Sequence, residues 1–349
     1  MVLRWHAGRA RCASCWDCAM YDGTGRLAPA VHASHVLHTE QAVWPQTNCY
    51  VDLWIELLHG WQLDPLAALP FTVAQDFEGD QFTFFKYPVD DLERLYGVVV
   101  QELSLYDAME RHVATQTARG HVVLLEVDGY YLPDNRATSY RRQHTKTTIG
   151  IDVLMPEARG VGYYHNDGYH VARGDDYAGL FRLLPDLQAD PNLLFPYAEV
   201  VRRRFPPLSG PMLLRASLAL LRRHLARRPR QNPIAAYRQV FPQHLDELAV
   251  RGEPAFHPYA FNVLRQLGAN FELLGKYLRW LSLQGQPLPA AIATACQRLA
   301  SEAMVMQFRL IRSILGRRPD ACQDCLDQME ACYEAAVPAL AAYVGEGEP

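Results

Sequence analysis

Three residues in the first half of the chain have types and an order suited to nucleophilic catalysis: Cys49, His144 and Asn166. A thiol reacts as its thiolate. A helix N-terminus, with unpaired N–H groups and partial positive charge, lowers a thiol's pKa and can hold an oxyanion. Cys49 falls at such a place. Val51, Trp54, Ile55 and Leu58 follow it at the i, i+3, i+4, i+7 spacing of an amphipathic helix, with Thr47 or Asn48 as the N-cap. The nucleophile needs a base, and His144 opens the alternating segment TKTTIGI, a strand start that can project a side chain toward a neighbouring helix. The base needs a group to orient its second ring nitrogen. Asn166 stands just past the next strand with Asp167 beside it. Antiparallel pairing of the two strands would bring the start of one near the end of the other, so either residue could fill that role.

The elements that must position these groups surround them. FTFFKYP (82–88) predicts a short strand, and 89–118 reads as one helix with Leu92, Leu95, Val99, Leu103 and Tyr106 on one side. HVVLLEV (121–127), TKTTIGI (145–151) and GVGYYH (160–165) read as three strands broken by turn residues. Beyond about residue 176 no strand is expected, and 209–228, 233–250, 257–283, 288–315 and 320–344 read as helices separated by Pro or Gly. The expected architecture is α+β, a helix-plus-antiparallel-sheet half over 31–185 followed by an all-α half over 186–349. Residues 1–30 are poorly patterned and expected to be loosely ordered.

Bulk properties narrow the function classes. At 349 residues, 49% hydrophobic, 21% charged and net charge −4, this is the composition of a soluble globular protein, with nothing that points to nucleic acid or a membrane surface. No apolar run approaches the roughly 18–20 residues a bilayer span needs. The N-terminus has no continuous apolar h-region, so a cytoplasmic location with reduced cysteines is expected. The basic residues are nearly all Arg, with lysine only at Lys86, Lys146 and Lys276. Nine Arg between Arg202 and Arg230 could dock an acidic carrier protein, though the compositional bias favours a generic surface.

The order Cys, His, Asn is that of papain-like enzymes. The segments VWPQTNCYVDLWIELLHGWQLDPLAAL, YYLPDNRATSYRRQHTKTTIGI and GYYHNDGY resemble a bacterial family of unknown function, often encoded beside amino acid:carrier protein ligases and small acyl carrier proteins. The resemblance runs from about residue 35 to 315. That family is in turn distantly similar to the papain-like N-terminal domain of the butirosin acyltransferase, which moves an aminoacyl group from a carrier-protein thioester to an amine. The resemblance implies Cys49 as nucleophile, His144 as base and Asn166 as orienting residue. Cys49 would attack a phosphopantetheine thioester on a partner carrier protein, with Gln46 or Asn48 supporting the oxyanion, and a small amine would accept the acyl group. No cofactor bound by the enzyme itself is needed. A thioesterase or peptidase using water, or a non-catalytic carrier-protein scaffold, are the alternatives.

Other residues carry weaker signals. Asp128 and Asp134 flank the Tyr130–Pro133 turn and could bind an amine acceptor, although turn formation accounts for both. Asn262, Arg265, Glu272 and Lys276 form a polar helix stripe that could line a cleft, Arg265 with Glu272 being the pair to watch. Cys12, Cys15 and Cys18, the set Cys322, Cys325 and Cys332, and the triplet His32, His35 and His38 have spacings compatible with metal. The later cysteines share an apolar helix face, which favours core packing, and no metal site is expected.

Overall fold

The computed structural model describes residues 32–38, 42–190, 194–316 and 320–346. The N-terminal segment 1–30, with Cys12, Cys15 and Cys18, lies outside the described residues.

Helix α1 (Cys49–Gly60) begins where an N-cap forces it to: Asn48 is extended and its side chain accepts the N–H of Val51. Val51, Leu53, Trp54, Ile55, Leu57 and Leu58 have no exposed surface, so the helix is apolar on most sides and must be enclosed. A 3-10 segment, Pro65–Ala74, covers one side, and C-terminal helices pack in turn on that segment. The sheet covers the other.

The expected single helix over 89–118 is instead α2 (Val89–Tyr96), β1 (Val98–Glu102) and α3 (Met109–Thr117). Gly97, at φ 65°, ends α2 in the left-handed conformation, and a Cβ there would meet the Phe205 carbonyl oxygen at 2.2 Å. The β-branched run after it then pairs as a strand. Next come β2 (Val122–Asp128), β3 (Lys146–Met155), β4 (Gly160–His165), β5 (Gly168–Arg173), α4 (Asp175–Leu180), α5 (Pro185–Gln188) and β6 (Ala198–Arg203). The six strands form one antiparallel sheet in the order β1-β6-β2-β3-β4-β5. β6 corrects the expectation that no strand follows residue 176, and it carries the sheet past residue 185. The stretch expected as a strand over 82–88 pairs only through one antiparallel bridge, Phe77 with Phe82.

Alternation divides the sheet between two cores. Leu124, Tyr164 and Val201 face α1, while Leu125, Ile149 and Tyr163 face the α3 and α4 side. Gly150 lets α1 approach: a Cβ there would lie 3.2 Å from a methyl of Leu53.

The remainder is helical, as expected: α6 (Gly210–Leu225), α7 (Pro233–Arg251), α8 (Glu253–Tyr259), a π-helical turn (Ala260–Arg265), α9 (Gln266–Leu283), α10 (Ala290–Gly316) and α11 (Gln323–Glu346). α9 is the axis of this half, buried along most of its length. Cys322, Cys325 and Cys332 are buried in the same core, at the start of α11 and along it.

Candidate active site

Cys49 is the first residue of α1, half-buried, with a free thiol. Asn48 holds this turn rigidly, since its Nδ2 donates to the Phe85 carbonyl at 3.1 Å and to Gln266 Oε1 at 3.3 Å. The N–H of Val51 goes to the Asn48 side chain and that of Asp52 to the Asn48 carbonyl. The N–H groups of Cys49 and Tyr50 are thus the first-turn donors that no helix carbonyl takes. Gln46 is exposed on the segment leading in.

One side of α1 carries two carboxylates a turn apart. Asp52 accepts the N–H and hydroxyl of Thr47 at 2.8 and 2.7 Å and lies 3.2 Å from His38 Nε2. Glu56 meets His32 Nε2 and His38 Nδ1, each at 2.5 Å, and accepts the His35 N–H at 2.9 Å. The triplet His32, His35 and His38 therefore closes on the carboxylates of α1. Burial alone would lower the His38 pKa, but its bonds to Asp52 and Glu56 outweigh that and raise it to about 9. Burial likewise opposes ionisation of Glu56, and the bonds from His32 and His38 bring it down to about 2. His35 is lowered to about 4 by burial and by His59, and its Nδ1 accepts the Leu37 N–H, which requires the neutral ring.

His144 stands just before β3. Its Nδ1 meets Asp128 Oδ2 at 2.5 Å, and its ring stacks on Tyr130 with centroids 4.6 Å apart. The other oxygen of Asp128 accepts the N–H groups of Tyr130 and Thr145 at 3.0 and 3.2 Å. A single carboxylate thereby fixes both the turn and the imidazole. The two side chains line a pocket of about 410 Å³ with Lys146, Arg182, Phe195 and Tyr197. Tyr197 donates to Glu199 at 2.8 Å, and Tyr50, next to Cys49, donates to the same carboxylate at 3.0 Å. Glu199 thus links the pocket wall to the first turn of α1.

Asn166 does not orient His144. His165 pairs with Gly168 across a two-residue turn, Asn166-Asp167, in which Asn166 has φ 49°. Tight hairpins need that left-handed backbone, and Asn tolerates it. The register Gly150 with Tyr164 sets Asn166 level with Thr148 rather than with His144, and Asn166 Nδ2 donates to Asn135 instead. Asp167 offers its carbonyl to the Ser34 hydroxyl.

Asp134 belongs to the other face of the sheet. It accepts the Tyr163 hydroxyl and meets His165 Nδ1, each at 2.6 Å, while His165 Nε2 meets the Thr147 hydroxyl at 2.8 Å. Burial would raise its pKa, yet the bond to His165 prevails and lowers it. In this arrangement Asp134 braces β3, β4 and the preceding turn. Asn262 is exposed and bonds the Pro258 carbonyl of its own helix. Glu272 accepts the N–H groups of Val43 and Trp44 at 2.9 and 2.6 Å and pairs with Lys276 at 3.4 Å, so it anchors the chain entering α1 and does not pair with Arg265. Arg265 lies half-buried with its guanidinium over Phe261, 5.1 Å from the ring centre.

Sequence reasoning passed over Asp52, Glu56, His165 and Gln266, and it gave Asp128 a different task. Two carboxylates at i, i+4 on an otherwise apolar helix were a readable signal for the first pair. The others depend on strand register.

The chain belongs to the DUF1839 family, of unknown function. The family's N-terminal domain matches residues 33–203 and its C-terminal domain matches 211–342. The division falls between β6 and α6. No curated protein matches the sequence. Among the described residues, no helix is long and apolar enough to cross a membrane, and no group of three or more His, Cys, Asp or Glu is arranged to hold a metal ion.

Proposed function

We propose that the protein is a cysteine-dependent acyltransferase, papain-like in its catalytic arrangement, which moves an acyl or aminoacyl group from a carrier-protein thioester to a small amine. The observation that carries the reading is the His144–Asp128 pair. With Nδ1 held by a carboxylate that is itself fixed by two N–H groups, the imidazole, at the wall of the pocket, keeps Nε2 as the free ring nitrogen of a base of defined tautomer. Cys49, at the capped start of a buried helix, supplies the nucleophile, and Tyr50, Glu199 and Tyr197 connect the two regions.

In the first step the Cys49 thiolate attacks the thioester carbonyl. The phosphopantetheine thiolate leaves and takes a proton, and an acyl-Cys49 thioester remains. In the second, an amine attacks that thioester while His144 Nε2 removes an amine proton. The C–S bond breaks, giving the amide and free Cys49. Thioester-to-thioester exchange is close to isoenergetic, and amide formation drives the second step. The first-turn N–H groups of α1 are the natural donors to both tetrahedral oxyanions.

Thiol release from small acyl-pantetheine thioesters, with and without a primary amine, tests this proposal. The wild-type protein should release thiol faster when amine is present and form the amide. Cys49→Ser should abolish release, and Asp128→Asn should slow it by about 10²–10⁴-fold, because the imidazole loses its defined tautomer. Release that ignores the amine would make the protein a hydrolase. Release unchanged in Cys49→Ser would remove Cys49 from the chemistry altogether.

A further inference from the structure

The proposed donor carries charge as well as a thioester, and one cation beside α1 has nothing to hold. The helical run from α8 to α9 is interrupted by the π-helical turn Ala260–Arg265, a local widening that occurs often at functional sites. Arg265 ends this turn and Gln266 begins α9. The Arg265 guanidinium has five N–H donors, yet among the described residues it makes no hydrogen bond and no ion pair, only the contact over Phe261. Burial lowers its pKa, and the one opposing influence is the more distant Asp52. Asp52 is already occupied by Thr47 and His38.

Gln266 shows the same imbalance. It is 1% exposed and its Oε1 accepts from Asn48, the N-cap of α1, but its Nε2 has no partner. Buried donors are nearly always paired, so the unspent Gln266 Nε2, next in sequence to a half-buried guanidinium with no ion-pair partner, marks a place prepared for an acceptor. The surroundings suit an anion: the Asn48–Gln266 bond sets Gln266 against the N-cap of α1, and that helix end adds partial positive charge. Phe261 and Asn262 are exposed, so the place opens to solvent.

We propose that Arg265, backed by Gln266 beside the N-terminus of α1, forms an anion subsite that takes the phosphate or carboxylate of the incoming acyl donor. The assignment of that anion to the donor rests on the acyl-transfer reading; the subsite itself does not. A planar guanidinium stacked on an aromatic ring keeps its fork free for bidentate capture of either group.

The test is thermal unfolding of the Cys49→Ala protein, which cannot turn over, with inorganic phosphate or acetate and with chloride at matched ionic strength. At least one of the two oxyanions should raise Tm beyond the chloride control. With Arg265→Met added, that rise should vanish, while the Tm without added anion should equal or exceed that of the parent, because a half-buried charge that makes no ion pair has been removed. With Arg265→Lys, which keeps the charge but loses the fork, the rise should survive with affinity weakened several-fold. A response to phosphate alone assigns the pantetheine arm as the source, and a response to acetate alone assigns a carboxylate on the acyl group. Three results would overturn the subsite: no response to either anion, an equal response in Arg265→Met, or a fall in Tm without anion in that variant, which would make Arg265 a structural residue. Anion binding without acyl transfer would sink the enzymatic reading and leave the subsite standing. Transfer indifferent to Arg265 would leave the enzymatic reading standing and overturn the assignment of the anion to the acyl donor.

Discussion

Raising the pH from 6.5 to 9 should loosen the segment at 32–38 from α1, because His38 gives up its proton in that range. Its ring lies between Asp52 and Glu56, which hold its pKa near 9 in the folded chain against 6.5 when free. A raised pKa means that the stabilisation is complete below pH 6.5 and is lost as pH climbs through 9. At ~1.4 kcal/mol per pH unit, the span from 6.5 to about 9 caps the effect at about 3 kcal/mol. The neighbours set the opposite limb. His35, brought down to about 4 by burial, is stabilising as the neutral ring above pH 6.5, and that contribution is lost as pH falls through 4. Glu56, held near 2, is fully ionised across both limbs. Lys276 bonds the Leu37 carbonyl from α9, and His59 faces His35 from α1. Stability should therefore peak near pH 6.5. Urea unfolding at pH 5, 6.5, 8 and 9, on the wild type and on His38→Gln, would show it. The wild type should lose on the order of 1–3 kcal/mol between pH 6.5 and 9, and the variant should be flat there. A wild-type curve flat across that range, or an equal slope in His38→Gln, would refute the reasoning.

Two further substitutions probe the frame around the site. Asn166→Gly should leave stability within about 0.5 kcal/mol and thiol release unchanged, whereas Asn166→Val should destabilise by about 1–2 kcal/mol, because a β-branched residue resists the left-handed turn. A hundredfold loss of release in a folded Asn166→Gly would return Asn166 to a catalytic role. Gly268→Ala should cost about 1–3 kcal/mol in urea melts through overpacking. A Cβ there would meet the Trp44 indole nitrogen at 2.3 Å, and that nitrogen is tied to the Ala300 carbonyl. A cost near zero would mean that Trp44 is free to move.

Much of this arrangement was readable where local signals suffice. The TNCYVDLWIELL segment carries its own cap and period, and α1 forms at Cys49 accordingly. The strands from 122 to 165 and the helices after 210 announce themselves through alternation and Pro or Gly breaks, whereas β5 (Gly168–Arg173), on the far side of the Asn166-Asp167 turn, was not expected. β1 was hidden because Leu92, Leu95 and Val99 keep helical spacing across Gly97, and only the glycine's backbone freedom reveals the break. β6 was hidden because AEVVRR is short and sits between proline-containing turns. Side-chain partnerships were the least legible. Whether His144 meets Asp128 or Asn166 turns on the pairing of β3 with β2 and β4, and a shift of a few residues would exchange them. The unpaired Gln266 donor and the unpaired Arg265 guanidinium lie at the end of a π-helical turn that leaves no compositional trace.

The central claim concerns one sulfur atom. Intact-protein mass spectrometry after mixing with an acyl-pantetheine thioester, followed by peptide mapping, reads it directly. A single acyl adduct is expected on the peptide containing Cys49, discharged on addition of a primary amine with formation of the amide. It should persist longer in Asp128→Asn, where deacylation is slowed. An unmodified Cys49 under conditions where thiol is released, or an adduct on any other cysteine, would contradict it.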